Sequence, residues 1–195
     1  VEIGCKRERL MAAIAGGATA IQLRSKEESC REALALGREL RALTRQTGTL
    51  FIVNDRVDLA LILEADGVHL GQKDIPLKEA QKLLSPGMIV GISAETVAQA
   101  KAAEAEGASY LGVGPVFSTG TKPDAGKAIG LEKLAEICSS VTIPVVGIGG
   151  ISRQNAAEVV KCGAAGVSVI SAVIGAPDVK GAASSLLREL SGERK

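Results

Sequence analysis

Seven short apolar runs punctuate the chain: AIQLR (20–24), LFIVN (50–54), GVHLG (67–71), IVGIS (89–93), YLGVGPV (110–116), PVVGIG (144–149) and GVSVIS (166–171). Their length and their Val, Ile and Leu content are those of buried strands. Between them the apolar spacing becomes helical. CREALALGRELRALTRQ (30–46) is followed by VDLALILEA (57–65), LKEAQKLL (77–84), AETVAQAKAAEAE (94–106), LEKLAEICSS (131–140) and RQNAAEVVKC (153–162); VKGAASSLLREL (179–190) ends the series, and KRERLMAAIAGG (6–17) precedes it. The junctions repeat. AIAGGATAIQLR, AAEAEGASYLGVG and VVKCGAAGVSVIS each run from an alanine-rich helical end through a glycine and a small residue into a strand, and LILEADGVHLG is a looser copy. The glycine is expected to end each helix in a left-handed conformation.

Strands alternating with helices predict parallel pairing through right-handed crossovers. A doubly wound sheet and a (β/α)8 barrel both fit. No GxGxxG follows the first strand, and polar or glycine residues follow almost every strand rather than one switch point, which favours a single α/β domain over 1–195: a (β/α)8 TIM barrel with its site at the C-terminal strand ends. Such a barrel needs eight strands. The helix at 6–17 calls for a strand before it, where only VEIG stands. That strand is either stubbed or encoded upstream of Val1, and the second is expected.

Composition narrows the partners. The net charge is +1 and aromatic residues make up 2%, so neither a general pull toward polyanions nor a base-stacking surface is present. Nucleic acid and membrane are not expected partners, and an anion site has to be local. Abundant Ala and Gly predict helices lying close on the sheet. Cys5, Cys30, Cys138 and Cys162 form no CxxC and no zinc spacing with the single histidine, His69, so buried free thiols in a reducing cytoplasm are expected. No apolar run reaches the ~20 residues that span a bilayer, and no secretory signal pattern opens the sequence.

The chemistry lies at the strand ends. QLRSK puts Gln22, Arg24 and Lys26 on alternate positions, facing one way in an extended segment; rim salt bridges are the plainer alternative. Asn54 and Asp55 end the next strand, and Asp74 follows the one after. Helix capping would explain each singly. Two carboxylates on neighbouring strand ends repel unless a cation joins them, however, and Mg2+ suits a pair of carboxylates completed by phosphate oxygens and water. Ser93 ends its strand as a cap or a ligand; His69 reads as a satisfied core or rim histidine with no catalytic role. GPVFSTGTK carries Thr119, Thr121 and Lys122, and the last two strands end in Gly149-Gly150 and Ile170-Ser171, where such barrels bind phosphate. Arg24, Lys26, Asn54, Lys122 and a divalent metal exceed what one monophosphate needs and suit a diphosphate.

QLRSK, VNDRVDLAL, GVHLGQKD, GIS, GPVFSTGTK, VVGIGGIS and GVSVISA, in this order over nearly the whole chain, resemble the thiamine-phosphate synthase family. The resemblance implies a transferase on a (β/α)8 barrel. It would join 4-amino-2-methyl-5-(diphosphooxymethyl)pyrimidine to hydroxyethylthiazole phosphate and release pyrophosphate through a dissociative carbocation mechanism. By that likeness Gln22, Arg24, Lys26, Asn54 and Lys122 grip the diphosphate and Asp55 and Asp74 hold Mg2+. Ser93 faces the pyrimidine and leaving group, while Thr119 and Thr121 lie near the thiazole phosphate in a cradle completed by Gly150, Ile170 and Ser171. Arg24, Ser93 and Lys122 are its catalytic group. Its partners are the two small-molecule substrates, with a homo-oligomer left open. Ala94-Glu95 departs from the histidine or asparagine often found two residues past the GxS serine. Thiazole tautomerases share the fold and part of the motifs but resemble this chain less, because a histidine stands there in place of Pro115. A non-catalytic phosphate-ligand-binding relative is the remaining alternative.

Overall fold

All seven apolar runs become strands in the computed structural model, which describes residues 7–26, 28–120 and 126–192. In chain order the elements are α1 (Arg7–Ala15), β1 (Ala20–Leu23), α2 (Cys30–Thr47), β2 (Leu50–Asn54), α3 (Val57–Ile62), β3 (Gly67–Leu70), α4 (Leu77–Gln81), β4 (Ile89–Ala94), α5 (Val97–Ala105), β5 (Tyr110–Val113), α6 (Gly130–Ser140), β6 (Val145–Ile148), α7 (Ala156–Lys161), β7 (Gly166–Ser168), α8 (Ser171–Ile174) and α9 (Val179–Ser191). The strands pair in parallel and in sequence order, β1 through β7. Helix α1 packs against α9 and α8, so the helical layer wraps the curled sheet and brings the first helix to the last, as in a TIM barrel. VEIG lies outside the described residues.

Register fixes which side chains share a face. His69 lies opposite Gly91, and Ser93 opposite Gly112. The alternate positions Phe51, Val53, Val68, Leu70, Leu111 and Val113 are fully buried and form the layer between sheet and helices, each contributing roughly 1.5–3 kcal/mol. Helix α2 is seated at both ends. Ser29 and Glu32 form a reciprocal capping box, with Glu32 N–H donating to Ser29 Oγ at 3.3 Å and Ser29 N–H to Glu32 Oε2 at 2.9 Å. Farther along, Arg41 grips Asp66 with both terminal nitrogens at 2.9 and 3.1 Å, and Asp66 also accepts the Phe51 N–H at 2.7 Å. The close approach expected of small residues is visible at Gly37, where any Cβ would collide with Leu63.

Some expectations are corrected. Glycines do end the repeated helices with positive φ, at Gly17, Gly107 and Gly163, but in the looser copy Glu64 takes that conformation and Gly67 is a strand residue. Strand β5 stops at Val113, and α8 is a helix that the apolar run VISAVIGA conceals. Cys30 is exposed and Cys138 and Cys162 are half-buried free thiols, not core residues; Cys5 is outside the described residues. No helix among the described residues is long and apolar enough to cross a membrane.

Candidate active site

At the C-terminal end of the sheet, β1 presents Gln22, half-buried, and ends at Leu23. Arg24 and Lys26 therefore stand in the loop beyond it, and strand alternation accounts for Gln22 alone. Asn54, only 8% exposed, closes β2. Asp55 follows with φ 64°, a conformation that non-glycine residues rarely hold. Its N–H donates to the His69 carbonyl at 2.8 Å, adding one rung between β2 and β3 beyond the ladder. Such strain concentrates at functional positions.

Asp74 turns back on its own loop, its Oδ2 accepting the Gly71 N–H at 2.6 Å. The Asp55 and Asp74 side chains meet. Burial first, then the Asp74 carboxyl, push Asp55 up to about 6, while the charges of Lys26 and Arg24 pull it the other way. Two carboxylates and two cations from three strand ends thus act on one another. The capping alternatives do not hold for any of the strand-end polar residues. Helix α3 begins at Arg56 and α4 at Pro76, neither with a side-chain cap, and α5 is capped by Thr96, not Ser93.

Ser93 lies on the same face. Its Oγ is 2.9 Å from His69 Nε2, and His69 Nδ1 is 2.9 Å from the Tyr110 hydroxyl. Gln72 Nε2 donates to the Ser93 carbonyl at 2.6 Å. A Cβ at Gly112 would sit 2.7 Å from the His69 ring, and one at Gly91 2.5 Å from its Nδ1, so both strand glycines make room for the imidazole. His69 is satisfied, as expected of it, but it touches a candidate site residue directly.

On the other side, the chain after β5 stays attached to β6: Val116 N–H donates to Ile148 O at 2.8 Å and Phe117 N–H to Gly149 O at 3.1 Å. This brings Thr119, half-buried, toward Gly149 and Gly150, which have φ of 93° and 63°. Asn155 braces that turn, accepting the Ser152 N–H at 2.8 Å and donating to the Gly150 carbonyl at 3.1 Å. Ile170 and Ser171, both exposed, open α8. Thr121 and Lys122 lie outside the described residues. Tyr110 and Asn155 have no counterpart among the sequence expectations. Glycines inside β4 and β5 are the signal that a large side chain from β3 fills their space.

Among the described residues no group of three or more His, Cys, Asp and Glu could hold a metal. Asp55 and Asp74 are two adjoining carboxylates, with burial and the Asp74 carboxyl raising Asp55, and a carboxylate pair is a donor type that hard divalent ions use. The polar cluster lies at the C-terminal strand ends, where barrels of this fold commonly bind phosphate groups.

A family model described as thiamine monophosphate synthase matches residues 5–173. A thiamine-phosphate synthase from Moorella thermoacetica is 59% identical over 179 residues, 92% of this chain and 85% of that protein. One from Pyrococcus furiosus is 51% identical over 179 residues, covering 92% and 86%. The solved structure of thiamine phosphate pyrophosphorylase from Pyrococcus furiosus superposes with a TM-score of 0.89 at 46% identity, covering 98% of this chain and 91% of that one. Orotidine 5'-phosphate decarboxylase from Pyrococcus horikoshii, at 15% identity and a TM-score of 0.71 over 97% of this chain and 96% of that one, shares the fold alone. The chain belongs to the thiamine-phosphate synthase family and is, with it, a transferase.

Proposed function

We propose that this mouth is where the chain joins 4-amino-2-methyl-5-(diphosphooxymethyl)pyrimidine to hydroxyethylthiazole phosphate, giving thiamine phosphate and pyrophosphate. One observation carries the assignment: Asp55 and Asp74 are held together where the charges of Arg24 and Lys26 reach them. The pair fits Mg2+, which when bound supplies positive charge to the oxygens of a departing diphosphate. Arg24, Lys26, Asn54 and Lys122 hold that group, each charge-assisted hydrogen bond adding about 1.5–3 kcal/mol. Gln22 joins that grip, and Ser93 faces the pyrimidine and leaving group. Thr119, Thr121, Gly150, Ile170 and Ser171 cradle the thiazole phosphate, with Asn155 bracing the turn at Gly150.

The C–O bond to the diphosphate breaks first, both electrons leaving with pyrophosphate. The thiazole nitrogen then donates its lone pair to the pyrimidinylmethyl cation. No nucleophilic side chain or general base is needed for either step. Catalysis consists of stabilising the leaving charge, by Arg24, Ser93 and Lys122, and of holding the two rings in reach. Free thiols at Cys30, Cys138 and Cys162 fit a reducing cytoplasm.

The test is direct. The purified protein, given both substrates and Mg2+, releases pyrophosphate, and EDTA stops it. Metal-indifferent isomerisation of a thiazole carboxylate phosphate without pyrophosphate would identify a tautomerase instead, and ligand-dependent melting without turnover a binding protein. Lys122→Ala lowers kcat/KM by at least ~2 kcal/mol, the scale of a lost charged contact; a near-neutral result removes Lys122 from the diphosphate.

Melting follows pH with a sign set by Asp55. Its carboxyl holds a proton more tightly in the folded state, up to about 6 from an ordinary 3.8. Stability from that proton is present at low pH and is lost as pH rises through about 6. In the metal-free protein, Asp55→Asn therefore flattens the fall in Tm across that window. Added Mg2+ raises the wild-type Tm more at pH 7.5 than at pH 5. Equal gains at both pH values would remove Asp55 as the ligand.

A further inference from the structure

We propose that His69 is a positioning residue whose tautomer is fixed by Tyr110, so that Ser93 meets the pyrimidine diphosphate as a hydrogen-bond donor. The inference rests on the reading of Ser93 as a substrate contact and adds the device that sets its polarity. Tyr110, His69 and Ser93 come from three adjacent strands and form one line, Tyr110 OH to Nδ1 at 2.9 Å and Nε2 to Ser93 Oγ at 2.9 Å. A neutral imidazole has one N–H and one bare nitrogen, so the line can run in either direction.

Satisfaction of the phenol decides between them. Burial pushes the Tyr110 hydroxyl up to about 12, so it is protonated. Among the described residues His69 Nδ1 is its hydrogen-bond partner. If Nδ1 carried the proton, the phenolic hydrogen would be left without an acceptor in a largely dry setting, which buried hydroxyls avoid. The line therefore runs from Tyr110 O–H to Nδ1, and from Nε2–H to Ser93 Oγ. One Ser93 lone pair is occupied by that bond, and its hydroxyl hydrogen is left to an external acceptor.

The serine backbone is pinned as well, through Gln72 Nε2 on its carbonyl. The strongest acceptors in a pyrimidine diphosphate are the oxygens of its leaving group. The His69 carbonyl takes the N–H of Asp55, so the same residue that aims Ser93 also anchors the strand end bearing a carboxylate of the candidate metal pair. Gly91 and Gly112 keep the imidazole where it is, since a Cβ on either would displace it.

The single histidine makes the test clean. Protein labelled with 15N-histidine gives one imidazole spectrum at neutral pH, expected to show a protonated, pyrrole-type Nε2 and a bare, pyridine-type Nδ1. Tyr110→Phe removes the constraint. The tautomers then mix, and kcat falls about tenfold, roughly one hydrogen bond, while KM for both substrates stays within about twofold. Because Tyr110 acts through Ser93, the double variant Tyr110→Phe/Ser93→Ala loses no more than Ser93→Ala alone.

A wild-type Nδ1–H tautomer, an unchanged kcat in Tyr110→Phe or additive losses in the double variant would overturn the proposal. Failure of the wild type to release pyrophosphate would instead overturn the assigned reaction, and the spectrum would still report the direction of the line.

Discussion

Asp74→Asn is expected to lower kcat/KM for pyrophosphate release by on the order of 10²–10³, the loss typical when one preorganised electrostatic stabiliser is removed. Asparagine is the informative substitution. Its side-chain oxygen can still accept the Gly71 N–H that Asp74 accepts at 2.6 Å, so the loop keeps its shape and Tm changes little. What disappears is one negative charge beside Asp55. Without it Asp55 moves back down toward the usual carboxylate range, since Asp74 is one of the causes holding it up. The variant thus ionises more readily at Asp55 and yet binds Mg2+ more weakly, and the metal-dependent gain in Tm shrinks. Turnover near the wild-type level with Mg2+ present would show that the carboxylate pair is structural.

Gly149→Ala should be strongly damaging on the thiazole side. Gly149 has φ 93°, and a Cβ there would lie 2.5 Å from Pro115 Cβ and 2.6 Å from Pro115 Cα. The substitution adds a strained backbone, about 1–3 kcal/mol, to overpacking against main chain, about 1–3 kcal/mol. Thermal melting is expected to drop accordingly. The strain acts on the turn that carries Gly150, so KM for the thiazole phosphate should rise more than KM for the pyrimidine diphosphate. Equal rises in both would mean that the turn does not belong to the phosphate cradle.

The strands were legible because a parallel strand covered on both faces reads as an uninterrupted apolar run. Helix lengths were less so: α3 stops at Ile62 although LILEA continues the apolar spacing, because Glu64 takes φ 49° to turn the chain into β3. The four-residue α8 was hidden for the opposite reason, its apolar sequence prolonging that of β7. At the candidate site, Arg24, Lys26, Asp55 and Asp74 could be singled out from sequence because charge at a strand end has few innocent explanations. The Tyr110–His69–Ser93 line was not, because its members lie 24 and 41 residues from the histidine and only strand register joins them. Gln72 and Asn155 were opaque in another way: each works on a backbone carbonyl, a partner with no signature in sequence.

Arg9 on α1 donates from Nε and Nη2 to the carbonyl of Ile174 at 2.9 and 2.6 Å, across 165 positions of chain. The seam of the helical ring is thus tied by a contact very distant in sequence, whose closure entropy has to be met before the contact gives anything back. During synthesis α1 can fold early but cannot take its final seat until the last βα unit has emerged. Closing the helical ring therefore waits on Ser171–Ser191, the segment that carries α1's partners α8 and α9.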